Sequence, residues 1–199
     1  EERDLRLGYR PEGTTQFTSE LEGELAKYAV DPFTKEVEPR EPLNDTVEIL
    51  FIGGGFSALL TSARLRERGF KSIRIVERGG DVGGTWYWNR YPGCRCDVES
   101  LEYSFSFDPE LEQEWSWPER YGNQPEILDY VRHVANRFDL YKDIQFETRV
   151  NHATFDRESN LWTLETETGE TFTAPVTIMA TGNLSIPRVP DFPGLDDFK

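Results

Sequence analysis

Three stretches of this sequence have residue types and spacings that could do chemistry. The first, Gly53-Gly54-Gly55-Phe56-Ser57-Ala58, fits the pattern G-x-G-x-x-G/A. In that pattern the first glycine permits a tight turn, the second lets the backbone approach a pyrophosphate, and the small sixth residue lets a helix lie close on a sheet. Gly53, Gly55 and Ala58 hold those places, with Phe56 and Ser57 at the start of the helix. A helix N-terminus offers unpaired N–H groups and a partial positive charge, so a diphosphate is favoured there. Glu77 lies 24 residues after Gly53, close to the offset of roughly 20 at which such folds carry the acid that accepts from ribose hydroxyls. A 2′-phosphate about 4 Å from that acid would be repelled by about 4 kcal/mol at an effective dielectric near 20. NADP is thereby excluded from this site, which leaves FAD or NAD.

The second stretch runs from Gly83-Gly84 through Thr85-Trp86-Tyr87-Trp88 to Arg95-Cys96-Asp97-Val98. Thr85, Trp86 and Trp88 offer a hydroxyl, indole N–H donors and broad apolar faces, suited to holding a ring system out of water while fixing its polar edge. Tyr87 and Tyr91 are equally suited to packing alone. The third stretch is Ala180-Thr181-Gly182, directly after the apolar run Val176-Thr177-Ile178-Met179. Cys94 and Cys96, the only cysteines, stand one residue apart and the two histidines are isolated. Neither a disulfide framework nor a metal-ligand spacing results, and two reduced thiols are expected. His133 and His152 read as structural.

The elements that must position these residues follow from periodicity. The apolar run from Val47 to Ile52 ends at the glycines and reads as a buried parallel strand. A helix follows with Phe56, Leu59, Leu60 and Ala63 on one face and Gly69 as its stop. Ser72 to Val76 reads as a second strand, completing a βαβ unit. Glu77 to about Pro92 is a Gly- and aromatic-rich loop. A helix opens at Pro125 and keeps Ile127, Leu128, Val131, Val134, Ala135 and Phe138 at helical spacing. Between Ile144 and Thr173 the period falls to two, with turns at Asp156–Asn160 and Thr168-Gly169, giving a small antiparallel meander. Val176 to Met179 is a further buried strand. The fold class expected is α/β, a Rossmann-like dinucleotide-binding domain with a parallel sheet plus a small antiparallel β-meander. The meander argues for FAD over NAD, because a simple NAD fold would continue with alternating strands and helices. Residues 1–46, charged and proline-containing, form an N-terminal extension with one short helix around Ser19 to Tyr28. Residues 47–199 form the domain.

The 199 residues carry 37 acidic and 22 basic side chains, a net charge of -15. Such a charge repels phosphate backbones and anionic lipid, so neither nucleic acid nor membrane is expected as a partner. The start lacks the apolar stretch of a secretory signal and no run approaches the roughly 20 apolar residues of a membrane span, so a cytoplasmic protein is expected. The missing initiator Met suggests a segment of a longer chain.

From Gly83 to Ser100, and again at Ala180-Thr181-Gly182-Asn183-Leu184-Ser185 with Pro187, Pro190 and Pro193-Gly194, the sequence resembles the Baeyer–Villiger monooxygenases, flavin-dependent enzymes. The likeness runs from about Val47 to Phe198. It implies FAD contacts from Ser57, Glu77, Arg78, Gly84, Thr85 to Trp88, Asp97, Val98, Tyr103, Val150 and the Ala180-Thr181-Gly182 turn, with Arg95, Cys96 and Asp97 lining the nicotinamide side. It also implies that Asp97 is catalytic, orienting an arginine from a later part of the chain that stabilises a flavin peroxide. From the residues alone, Asp97 could instead cap a helix begun by Val98-Glu99-Ser100. The family's Gly-x-x-x-His-Thr stretch and second glycine fingerprint, for NADPH, would follow Lys199. The resemblance implies an FAD- and NADPH-dependent enzyme inserting one oxygen of O2 into a small-molecule ketone to give an ester or lactone. The alternatives are an N- or S-oxygenating flavin monooxygenase and a non-catalytic FAD-binding module. The 199 residues alone should lack NADPH-driven turnover.

Overall fold

The computed structural model describes residues 30–34, 39–184, 193, 194 and 197. The chain divides into two compact units, Glu1–Pro32 and Phe33–Lys199, and every element below belongs to the second. The helix expected between Ser19 and Tyr28 lies outside the described residues.

Four short parallel strands form the central sheet, in the order β4-β3-β2-β8. Strand β2 (Ile49–Ile52) lies in the middle, beside β3 (Ile73–Val76) with Ile49 opposite Ile73, and beside β8 (Val176–Met179) with Ile49 opposite Val176. Strand β4 (Ile144–Gln145) adds to the far side of β3. Helix α1 (Phe56–Glu67) joins β2 to β3 and buries Ala58, Leu59, Ser62 and Ala63, the one face that a 3.6-residue repeat brings together. Helix α4 (Gln124–Arg137) buries the expected Ile127, Leu128, Val131, Val134 and Ala135, together with Gln124 and Tyr130. The two helices cover one face of the sheet in a core built on Phe51, Leu59, Ile75, Val131 and Ala135.

The other face carries a second sheet, in which β7 (Thr171–Ala174), β6 (Leu161–Thr166) and β5 (Val150–Asp156) form an antiparallel meander. Strand β1 (Asn44–Thr46) extends it, parallel to β7 with Asp45 opposite Phe172, so this sheet is mixed. Leu50 and Val76 from the first sheet meet Leu164 and Phe172 from the second. One expectation needs correcting here. Ile144 and Gln145 belong to the parallel sheet and not to the meander, and the alternation through Phe146, Thr148 and Val150 is broken at Glu147, which has φ 54°. The reason is tertiary: Glu147 N–H donates to the Gly79 carbonyl and Thr148 N–H to that of Glu77, so this stretch is shaped by the loop after β3.

Two short helices carried no clear sequence signal, α2 (Thr85–Trp88) inside the expected loop and α3 (Pro109–Glu114), capped by Asp108. A 3-10 turn at Ser100–Tyr103 and another at Tyr141–Asp143 flank α3 and α4. Helix α4 starts one residue earlier than expected, with Asn123 accepting from Glu126 N–H as its cap. Among the described residues no helix is long and apolar enough to cross a membrane.

Candidate functional site

The three stretches singled out by residue type meet at the carboxyl ends of β2, β3 and β8. Strand β2 has β3 on one side and β8, the last strand in sequence, on the other. The chain therefore leaves β2 in opposite directions, which is the switch point where open α/β sheets bind ligands. Gly53 sits there at φ 103°, its N–H donating to the Val76 carbonyl at 2.8 Å, while Ala180 N–H donates to the Ile52 carbonyl at 2.9 Å. A Cβ on Gly53 would lie 2.6 Å from the Ala180 oxygen and 3.4 Å from the Thr181 Cα. Gly182 follows at φ 69°.

Gly55 is the N-cap of α1, which has no side-chain cap and no acidic residue in its first turn. The first N–H groups of Phe56, Ser57 and Ala58 thus have no intrahelical acceptor. Gly83 N–H donates to the Gly54 carbonyl at 3.1 Å, and a Cβ on Gly84, at φ 54°, would meet the Gly55 Cα at 3.2 Å. Two glycine turns therefore face each other at backbone distance beside an uncapped helix end. This donor-rich cradle, bare of side chains, fits a diphosphate.

Glu77 ends β3 with only 5% exposure. Its carboxylate accepts from Gly54 N–H at 2.5 Å and Gly79 N–H at 2.7 Å, fixing both turns. Burial pushes its pKa above the ordinary 4.5 despite those two donors. Each oxygen keeps capacity for a further donor such as a hydroxyl. Beside it the Arg78 guanidinium stacks over Trp88 at 4.4 Å. Tyr87 is buried and meets Phe33 and Trp88 edge-on, and Arg90 lies 3.7 Å over Phe33 and 4.9 Å from Tyr87. Tyr87 thus packs the loop into place, Tyr91 is 62% exposed, Trp86 is buried and Thr85 faces solvent.

Cys94 to Cys96 are stitched to the start of α4: Cys96 N–H donates to the Gly122 carbonyl, Gln124 N–H to that of Cys94, and Arg95 bridges Asn123. The Arg95 guanidinium turns to the Glu119 carboxylate at 2.7 Å and the Tyr121 carbonyl at 2.8 Å. Both cysteines are buried free thiols, so Cys94 does not offer the exposed sulfur that would make it oxidisable. Asp97 and Val98 are exposed. Asp97 caps no helix, because the turn begins at Ser100 after Glu99 and has no side-chain cap. Its charge instead acts on Tyr103, whose pKa is raised by burial first, with Cys96 and Asp97 adding to it. Val150 opens β5 and packs between the two sheets, against the core of Leu50, Val76 and Phe172.

Two anchors of the site were not foreseen. Gln124 Nε2 donates to the Trp86 carbonyl from 38 residues away, holding α2 against α4. Asp81 accepts from Arg132 Nε at 2.7 Å and the Tyr141 hydroxyl at 2.9 Å, tying the Gly79–Gly84 loop to α4. Neither partnership has a local pattern in sequence, since each forms only when distant elements meet.

Residues 50–199 match the pyridine nucleotide-disulphide oxidoreductase family. A Baeyer–Villiger monooxygenase of Streptomyces coelicolor is 42% identical over 199 residues, which is the whole of this chain and 32% of that protein. Among solved structures, an oxidised steroid monooxygenase bound to NADP superposes with a TM-score of 0.70 at 50% identity, over 76% of this chain and 29% of that one. Cyclohexanone monooxygenase from Rhodococcus sp. Phi1 bound to NADP+ gives 0.71 at 41% identity, over 80% and 30%. The likeness read from the Gly83–Ser100 stretch thus extends along the whole chain, which spans about a third of the length of these relatives.

Proposed function

The chain belongs to the pyridine nucleotide-disulphide oxidoreductase family, and from that premise we propose that it is the FAD-binding front section of a Baeyer–Villiger monooxygenase. The observation that carries the reading is the cradle at the sheet's switch point, where Gly53, Gly55 and Gly84 leave room for a diphosphate beside the uncapped start of α1. The backbone N–H groups of Phe56, Ser57 and Ala58 would hold that diphosphate and Glu77 the ribose hydroxyls, with Arg78 and Trp88 flanking the nucleotide end. Thr85, Trp86, Asp97, Val98 and Tyr103, with the Ala180-Thr181-Gly182 turn, would hold the flavin ring. Bound FAD, reduced by NADPH held mainly by the remainder of the protein, supplies the oxygen chemistry.

The part of this chain in that chemistry is positional and electrostatic. Buried Trp86 and half-buried Tyr103 exclude water from one side of the ring. Asp97, at the exposed rim, offers a carboxylate to a cationic side chain from the rest of the protein and so orients it. The substrate is a small-molecule ketone, which with O2 yields an ester or lactone, and the location is the cytoplasm. The FAD domain includes strand β1 (Asn44–Thr46) as well as residues 47–199.

The test is expression of the full-length protein, measurement of bound flavin, and assay of NADPH oxidation with ketones, amines and sulfides. Ketone-stimulated oxidation with a product one oxygen heavier is expected. Stimulation by an amine or sulfide alone moves the reading to N- or S-oxygenation, and bound flavin without NADPH oxidation reduces it to a binding module.

A further inference from the structure

The segment before β1 reaches the turn that carries Glu77 at two places. On one side, Phe33 meets the Tyr87 ring edge-on at 5.7 Å, and Thr34 Oγ1 lies 3.4 Å from the Tyr87 hydroxyl. The Arg90 guanidinium, 3.7 Å over Phe33, also lies 4.9 Å over Tyr87. The Tyr87 hydroxyl accepts from Gly80 N–H at 3.2 Å. These side chains occupy the space that Gly79 and Gly80 leave open. A Cβ on Gly80 would collide with Thr34 Oγ1, and one on Gly79 would lie 2.9 Å from Tyr87 Cε1 and 3.2 Å from Glu77 Oε1. Gly79 N–H in turn donates to Glu77 Oε1 at 2.7 Å.

On the other side, Arg40 donates through Nη2 to the Phe146 carbonyl at 2.9 Å and to the Thr148 hydroxyl, and through Nε to buried Glu170 at 3.2 Å. It thereby fixes the stretch whose amides hold the same turn, since Glu147 N–H donates to the Gly79 carbonyl at 3.0 Å and Thr148 N–H to the Glu77 carbonyl at 2.9 Å. Phe33, Thr34 and Arg40 belong to no helix or strand, so these contacts, and not a place in a sheet, fix where they lie. We propose that Phe33 and Thr34 are positioning residues for the cofactor. With Arg40 opposite, they clasp the Glu77–Gly80 turn and set the Glu77 carboxylate for the two hydroxyls of the adenosine ribose.

The inference rests on the proposed FAD site and gives the segment before β1 a part in it. Glycine loses more conformational freedom on ordering than any other residue, so a turn with two adjacent glycines does not hold its own shape. Tyr87, itself held by Phe33, Thr34 and Arg90, supplies the atoms that confine Gly79 and Gly80. The Gly79 amide then meets Glu77 Oε1 from one fixed direction, which leaves the remaining lone pairs of the carboxylate in one orientation. A ligand that must order a loose turn loses part of its binding free energy to that ordering, and a turn already held removes this cost. The gain falls on the ribose hydroxyls, because they are the groups that Glu77 receives.

The test follows flavin fluorescence as the full-length protein, stripped of flavin, is titrated with FAD and with the FAD analogue that lacks the 2′ and 3′ hydroxyls of its adenosine ribose. Wild type should bind FAD more tightly than the analogue. Thr34→Ala should weaken FAD about fivefold, the worth of one neutral hydrogen bond, and leave the dissociation constant of the analogue unchanged. Thr34→Ser, which keeps the hydroxyl, should restore FAD binding. Phe33→Leu, which removes the ring contacts but keeps an apolar side chain, should repeat the Thr34→Ala pattern, and it decides the matter if Thr34→Ala does not fold. An equal loss for both ligands shows a merely structural part for these residues, and no loss for FAD shows no part at all; either overturns the clasp. A wild type that binds both ligands equally also overturns it, since Glu77 then holds no ribose hydroxyl. A wild type that binds neither overturns the FAD reading itself.

Discussion

A methyl group on Gly53 would lie 2.6 Å from the Ala180 carbonyl oxygen, on backbone at φ 103°, and so would push β8 away from β2 at the point where both strands end. Gly53→Ala is expected to cost on the order of 1–3 kcal/mol and to lower the flavin-to-protein ratio of the full-length protein at least tenfold, as absorbance would record. Gly169, at φ 83° with nothing within 4 Å of its would-be Cβ, is the control. Its alanine variant should lose about 1–2 kcal/mol from conformation alone and keep its flavin. Glu170 makes a different residue-scale prediction. Its side chain is fully buried beside Arg40. Burial pushes its pKa up, but hydrogen bonds from Thr168, Arg40 and Gln145 outweigh this and hold it below the ordinary 4.5. A lowered folded-state value means stability that is present above pH 4.5 and is lost as pH falls through the folded value. Glu170→Gln should therefore lower the urea midpoint at pH 7, by about 1–3 kcal/mol in stability, and should show a shallower loss than wild type between neutral and acid pH. An equally steep acid limb would refute that assignment.

At the scale of elements, the loop from Gly79 to Gly84 is held to α4 through Asp81, whose carboxylate takes Arg132 and Tyr141. Asp81→Ala leaves both donors without this acceptor, although Arg132 retains Asp129 at 3.1 Å. A destabilisation of about 1–3 kcal/mol is expected, with faster hydrogen exchange confined to the loop and the start of α4. Exchange rising uniformly over the whole chain would show that Asp81 is not a local anchor. The elements also divide by how they were written. Helix α4 was legible because Ile127, Leu128, Val131, Val134 and Ala135, all buried, recur at helical spacing and Pro125 marks its start. Strands β2, β3 and β8 were legible as short apolar runs ending at glycines or at Glu77, but β8 is not the buried strand expected, since it lies at the sheet edge with Val176 and Met179 exposed. Strand β4 was misread because two residues carry no period of their own, and its partner β3 lies about 70 residues earlier. Helix α2, a single turn, forms because the glycines before it and Gln124 beneath it hold its ends.

At the scale of the molecule, 37 acidic against 22 basic side chains leave a net charge of -15, so the folded chain works against its own repulsion. Its thermal midpoint should rise as sodium chloride is added up to about 0.2 M, where the Debye length falls below about 10 Å; a midpoint that falls over that range would mean that the ion pairs outweigh the repulsion. The sequence by itself determined the βαβ unit, the cradle-forming glycines, the acid after β3 and the family likeness, because each is a pattern of neighbours along the chain. Tertiary structure alone decided that Glu77 is buried under the Gly54 and Gly79 amides, that Arg95 turns to Glu119, that Val150 packs between the sheets, and that rings as far apart as Trp86 and Trp117 form one body. Those contacts depend on which elements meet when apolar faces are buried, and their free energy is gained only after the chain has closed loops of tens of residues.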